Sequence, residues 1–248
     1  MMFAHGFGCD QNMWRLVTPA FERDYRIVLF DYVGHGGSDR TAYDAKRYSS
    51  LHGYTQDVLE ICEELSLRDV TLVGHSVSSM VGVLAAIREP HRFRRLVLVA
   101  PSPSYINEGD YHGGFSRDDI NGLLDMLDSN YLGWASTIAP VIMSNSDRPE
   151  LAQELENSFC QTDPRIAKEF AHVTFLSDHR AELPKTPVPA LIIQVAHDAI
   201  APVSVGEYMH AQMPGSQLQL IDTTGHCPHL SSPGPTIAAI QQWVASGR

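Results

Sequence analysis

The sequence predicts an α/β chain built on a doubly wound, mostly parallel sheet. Three observations carry that expectation: short apolar runs recur along the 248 residues, helical patterns separate them, and one long strand-free stretch interrupts the alternation. The runs are "MMFA" (1–4), "RIVLFD" (26–31), "VTLV" (70–73), "RLVLVA" (95–100), "ALIIQV" (190–195) and "LQLI" (218–221). Most are continuously apolar and do not alternate, the pattern of strands buried on both faces of a parallel sheet.

Between the runs lie helices. In "YTQDVLEICEEL" (54–65), Val58, Ile61 and Leu65 fall on one face, with Glu60, Glu63 and Glu64 elsewhere. "SSMVGVLAAIREP" (78–90) is apolar nearly all round until Arg88, which predicts a buried helix ended by Pro90. "PTIAAIQQWVASG" (235–247) closes the chain as an amphipathic helix. From Glu108 to Pro184 no strand is legible, only helical pieces such as "DDINGLLDML" and "PELAQELENSF". The chain therefore divides into a core of 1–107 and 185–248 and a helical cap of 108–184 over the strand ends, where open α/β sheets place ligands.

Composition narrows the function. A formal net charge of −11, with no Lys/Arg cluster to offset it, argues against nucleic acid and anionic membrane surfaces as partners. No apolar stretch reaches the roughly 18 residues of a membrane span. Cys9, Cys62, Cys160 and Cys227 are widely spaced and form no C-x-x-C, which suggests a reducing compartment, the cytoplasm, and no metal site. The opening "MMFAHGFG" starts inside an expected strand, with no charged leader or secretory h-region before it.

"LVGHSVSSM" (72–80) concentrates the chemistry. G-x-S-x-G is a weak signal alone, and here Ser78 replaces the last Gly. The setting is specific: strand 70–73 precedes Ser76 and helix 78–89 follows it, the context of a nucleophile held on a sharp strand-to-helix bend. Gly74 permits the close backbone approach of that bend, and Ser78 is small enough to stand where Gly is usual. The Val77 N–H, at the helix start, can stabilise an oxyanion, and "HGFG" (5–8) after the first strand lets the Phe7 N–H supply a second donor.

A serine hydroxyl needs a base. Asp198 in "LIIQVAHDAIAP" and His226 in "LQLIDTTGHCPHL" each follow a strand, in the order Ser, acid, His expected of this bend. Asp222 is the competing acid, less favoured because it would have to reach its near neighbour across a tight loop. His229 competes with His226 but reads better as packing or capping before the last helix. The His75 side chain is expected to point away from the site, and His5 to buttress the oxyanion loop. Asp31 reads as a turn residue accepting backbone hydrogen bonds, and Cys227 as packing. Candidates for the pocket wall are Tyr105 and, from the cap, Tyr131, Trp134, Phe159 and Phe175; most aromatics in such a cap pack its interior, so one or two of these should face the pocket.

"HGFGCDQNMW", "FDYVGHGGSD", "RYSSLHGYTQDVLEI", "GHSVSSM", "LVAPSPSYIN", "DAIAP" and "GHCPHLSSP" together resemble the α/β-hydrolase fold. More narrowly they are similar to the RsbQ-type group, which includes a bacterial regulator of the sigma-B stress response and the plant karrikin and strigolactone receptors. G-H-S-V-S is characteristic of that group. The resemblance implies a four-helix cap over a closed hydrophobic pocket, a Ser76–Asp198–His226 triad, oxyanion N–H groups from Phe7 and Val77, and no cofactor. Members carry further residues before "HGFG" that form a first antiparallel strand pair, so that pair is expected to be missing here. Two functions follow: a serine hydrolase cleaving a small, largely apolar ester or lactone through an acyl-serine, or a small-molecule-sensing protein with slow hydrolysis and a protein partner. An exposed apolar cap surface would mark the sensor, whereas the acidic cap segments "SRDD" and "RPELAQELE" favour the enzyme.

Overall fold

The computed structural model describes residues 1–247. Six strands form one parallel sheet: β1 (Met2–Ala4), β2 (Val28–Leu29), β3 (Val70–His75), β4 (Phe93–Val99), β5 (Ala190–His197) and β6 (Ser216–Thr224). Their spatial order is β2-β1-β3-β4-β5-β6. The chain runs outward from β1 to β2 and then returns to β3, so the order reverses between β1 and β3. Such a reversal opens a crevice at the strand ends. "HGFG" leaves β1 there and Ser76 leaves β3.

The continuous apolar runs have a direct cause. Along a strand successive side chains face opposite sides. Leu72, Leu96, Leu98 and Ile192 enter a core shared with the helices α1 (Leu51–Glu64), α2 (Val77–Arg88) and α7 (Val203–Gln212). Val73, Val97, Val99 and Ile193 enter a second core, on the opposite face, with Trp14, Phe21 and Trp243 of α9 (Pro233–Ala245). Both faces are covered, so neither admits polar alternation.

The buried face of α1 differs from the expected one. Leu51, Tyr54, Thr55, Val58, Leu59 and Cys62 are buried, Ile61 is half-buried and Leu65 is 37% exposed. The tyrosine and cysteine here pack as hydrophobes, with Tyr54 stacked on Phe170 at 4.4 Å, and this rotates the helix away from Leu65.

Between β4 and β5 stand four helices: α3 (Arg117–Ser129), α4 (Tyr131–Met143), α5 (Pro149–Gln161) and α6 (Pro164–Phe175). Their starts are set by local chemistry. Ser116 and Asp119 form a reciprocal capping box, Asn130 accepts from the Gly133 N–H, and Asp163 accepts from the N–H groups of Arg165 and Ile166. Pro149 and Pro164 occupy first-turn positions, where a missing N–H costs nothing. The four helices sit on the strand ends through Phe7, whose ring lies within 6.0 Å of those of Trp134, Phe159, Phe170 and Phe175. A short helix, α8 (Pro228–Ser231), follows β6.

Candidate active site

Ser76 occupies the bend between β3 and α2 with φ 54° and ψ −122°, a conformation that L residues rarely hold. A Cβ on Gly74 would lie 2.5 Å from the Ser78 carbonyl oxygen, so only glycine allows the turn to close this tightly. The Ser76 N–H donates to the Val99 carbonyl at 2.8 Å, which fixes the bend to β4.

Three side chains distant in sequence converge here. Ser76 Oγ lies 2.8 Å from His226 Nε2, and His226 Nδ1 lies 2.7 Å from Asp198 Oδ2. The carboxylate can only accept, so Nδ1 carries the proton and Nε2 is left to accept from the serine hydroxyl. The Asp198 side chain is fully buried, and its Oδ1 accepts from the N–H groups of Ile200 (2.8 Å) and Ala201 (3.2 Å). Asp222, the competing acid, is exposed. His226 is held from above by α4, because its N–H donates to the Ile142 carbonyl at 2.8 Å.

Phe7 lies in a turn closed by the Cys9 N–H on the Gly6 carbonyl, and Val77 is the first residue of α2. Neither N–H donates to a backbone or side-chain group among the described residues, as expected at a helix start for Val77. His5 is buried against this loop: Nδ1 meets the Gly6 carbonyl (2.9 Å) and Nε2 accepts from the Tyr32 N–H (3.2 Å). Burial pulls its pKa down, which suits the neutral ring those two bonds require. Asp31 accepts from the N–H groups of Gln11 (2.7 Å) and Gly37 (2.9 Å), as its glycine-rich setting suggests.

His75 departs from expectation. Its side chain lines the cavity beside Ser76, and its Nε2 donates to the His226 carbonyl at 2.8 Å, in the loop after β6. His229 stacks on Trp14 with ring centroids 4.5 Å apart and approaches His75 at 4.4 Å. His75, Cys227 and His229 are buried with one ligand atom each within 4.8 Å of the others, the grouping among the described residues that could hold a metal ion. Cysteine spacing alone gives no sign of it. Both imidazoles are held uncharged: burial, then neighbouring histidines, drives His75 well below the usual histidine range and His229 down to about 3.

Above Ser76 lies a cavity of only about 30 Å³. It is therefore narrow. Every helix of the overlying layer contributes an apolar wall: Leu123 from α3, Ile138 and Ile142 from α4, Leu155 from α5 and Phe175 from α6. Of the five aromatic candidates, Tyr105 and Phe175 line it, and the Tyr105 hydroxyl is 3.4 Å from Ser76 Oγ. Tyr131, Trp134 and Phe159 do not. The Tyr131 hydroxyl donates to the Phe159 carbonyl, Trp134 packs edge-on to Phe7, and Phe159 covers Gly8, so all three form the layer behind the wall. The aliphatic wall residues, with Cys9, Cys227 and Ile200, were not foreseeable, because which face of a helix turns inward depends on how the four helices pack.

A parallel sheet reversing at β1/β3, a serine on the bend after β3 and a histidine–carboxylate pair from the last two strand ends define a hydrolase-type α/β architecture. The chain belongs to the alpha/beta hydrolase family, whose model matches residues 1–240. It is similar to a karrikin insensitive 2 receptor of Petunia hybrida, 39% identical over 245 residues that cover 98% of this chain and 91% of the relative. A strigolactone esterase of Pisum sativum is 38% identical over 235 residues, 94% of this chain and 88% of the relative. Among solved structures, a hydrolase from Oleispira antarctica superposes with a TM-score of 0.96 at 45% identity, covering 98% of this chain and 90% of the other. No helix among the described residues is long and apolar enough to cross a membrane.

Proposed function

We propose that this chain is a cofactor-free serine hydrolase acting on a small, largely apolar ester or lactone. The observation that carries the reading is the continuous contact from Asp198 through His226 to Ser76, at 2.7 and 2.8 Å, beneath an apolar cavity. Ser76 Oγ attacks the carbonyl carbon as its proton passes to His226 Nε2, and Asp198 stabilises the imidazolium. Charge on the carbonyl oxygen is met by the N–H groups of Phe7 and Val77; losing one such donor costs about 2.7–4 kcal/mol of transition-state stabilisation. His226 then returns the proton to the leaving alkoxide, and water releases the acyl group from Ser76 by the same steps. The narrow, apolar walls favour slim substrates without charge. The four thiols are unpaired, which supports a reducing, cytoplasmic setting.

A second reading keeps the same site but makes ligand-dependent contact with a protein partner the output. Its support is the receptor relative together with one surface feature. Among the described residues, four of the seven exposed large apolar side chains, Met126, Leu132, Val141 and Leu176, lie on or at the end of the four-helix layer, with Leu132 59% exposed. The acidic segment "SRDD" is exposed, as expected, so this apolar surface lies beside solvated charge rather than in place of it.

The test measures release of p-nitrophenol from its acetate and butyrate esters by the native chain and by Ser76→Ala. Native turnover with loss in the variant is expected; equal rates remove Ser76 from the chemistry. On a butenolide lactone, sustained turnover favours the enzyme, and a single burst followed by near silence favours the sensor.

A further inference from the structure

Ser78 has chemistry that its small size does not explain. It is fully buried, and its Oγ donates to the His5 carbonyl at 2.5 Å. Since its own proton is spent there, the Tyr32 hydroxyl must be the donor in the 2.8 Å contact between Tyr32 and Ser78 Oγ. The Tyr32 backbone N–H in turn donates to His5 Nε2. His5, Tyr32 and Ser78 thus form a closed ring of three hydrogen bonds joining the loops after β1 and β2 to the first turn of α2.

That ring ends on the peptide next to the one that carries the proposed oxyanion donor. The His5 carbonyl belongs to the His5–Gly6 unit, and the Phe7 N–H to the Gly6–Phe7 unit. Gly6 and Gly8 flank Phe7 and leave the loop many conformations unless something holds it. On the other side the His75 ring packs so closely against Gly6 that a Cβ there would collide with it. A glycine at position 78 would leave the His5 carbonyl without its donor.

Building on the hydrolase reading above, we propose that Ser78, with its hydrogen toward His5 fixed by Tyr32, is a positioning residue that sets the Phe7 N–H for the oxyanion. It acts through the loop and touches no reacting atom. The hydroxyl at the place where Gly is usual is therefore a device of the site.

Ser78→Ala tests this by deleting one oxygen from a well-packed position. The expected kcat on p-nitrophenyl acetate falls by about tenfold to a hundredfold, the scale of misplacing a catalytic group by an ångström or less, with KM nearly unchanged. Amide hydrogen exchange across residues 5–8 should quicken in the same variant. Tyr32→Phe should lose less in the same direction, and the double variant should lose no more than Ser78→Ala. Native kcat in Ser78→Ala overturns the proposal, whether or not its Tm falls; so does a lost kcat with unchanged exchange at 5–8. If native and Ser76→Ala rates prove equal, the hydrolase reading fails on its own, and the exchange measurement still decides whether Ser78 holds the loop: unchanged exchange then overturns the tie.

Discussion

Ser76 holds a backbone geometry that costs on the order of 1–3 kcal/mol for a residue with a Cβ, and it persists because its surroundings leave no alternative. Its N–H is committed to Val99 and the bend rests on Gly74. The consequence is a hydroxyl projecting from the strand end toward His226 rather than lying along a helix. Asp198 is fixed as firmly, since two backbone N–H groups hold one oxygen while the other faces His226. Asp198→Asn keeps the shape but offers an amide that can donate to Nδ1, which favours the imidazole tautomer with the proton on Nε2, unable to accept from serine. Turnover of p-nitrophenyl acetate should fall by about 10⁴-fold in Asp198→Asn and stay at the native level in Asp222→Asn. The reverse pattern would exchange the two acids. The preference is legible in sequence because Asp222 lies only four residues before His226 and would have to reach it across a tight loop. His75 is less legible: a side chain next to the nucleophile points wherever the following loop leaves a carbonyl, and that carbonyl is His226's.

At the scale of elements, the end of α4 and the loop bearing His226 are one assembly. A helix leaves its last carbonyls unpaired. Here the Ile142 carbonyl takes the His226 N–H, and Asn145 bridges the Met143 and Thr224 carbonyls. Gly225 makes the approach possible: its φ is +95°, and a Cβ would stand 2.0 Å from the Met143 carbonyl oxygen. Gly225→Ala must push the loop from α4, and His226 moves with it. Hydrolysis should drop by tenfold or more, as a misplacement of an ångström or less costs up to about 10²-fold, and Tm should fall as well. Native kinetics in this variant would show that α4 does not hold the base. None of this docking is written in local sequence, because it depends on contacts between residues some eighty positions apart. Strands are the legible part: β3, β4 and β5 are buried along nearly their whole length and read as unbroken apolar runs. The helix α7 escapes detection because its buried face is Val205, Gly206 and Met209, with glycine chosen so that Gln194 can fit beneath it. Of the overlying helices, the helical character is legible and the number follows from the family resemblance, but their inward faces are not legible.

Over the whole molecule, the packing that builds the site also buries several histidines in neutral form. His5, His35, His75 and His229 are each at most 2% exposed, and burial is the first cause lowering every one of their pKa values. His35 and His229 are pulled down to about 3. In the unfolded chain the same groups titrate near the ordinary value of about 6.5. Below that pH the unfolded chain binds protons that the folded chain refuses, so stability rises with pH through this range and is lost as pH falls. For His35 and His229 the contribution is complete above about pH 7 and drains away between about 6.5 and 3, at roughly 1.4 kcal/mol per histidine per pH unit; His5 and His75 act in the same direction. Asp57 works in the opposite sense, since burial raises its carboxyl pKa, but it does so singly and at lower pH. His35 and His229 together amount to on the order of 3 kcal/mol by about pH 5.5, and His5 and His75 add to it in the same sense, against the 5–15 kcal/mol that holds a typical domain folded. Urea unfolding followed from about pH 8 to about pH 5 should give a nearly level midpoint down to about 7 and a steep fall below about 6.5. A level midpoint down to pH ~5 would mean that these rings take protons in the folded state. That would contradict a dry, uncharged bed of imidazoles beneath the triad. Replacing His35 with Gln, away from Ser76 and the cavity, should make the fall shallower by about one histidine's worth, which ties the slope to named residues rather than to the net charge of −11.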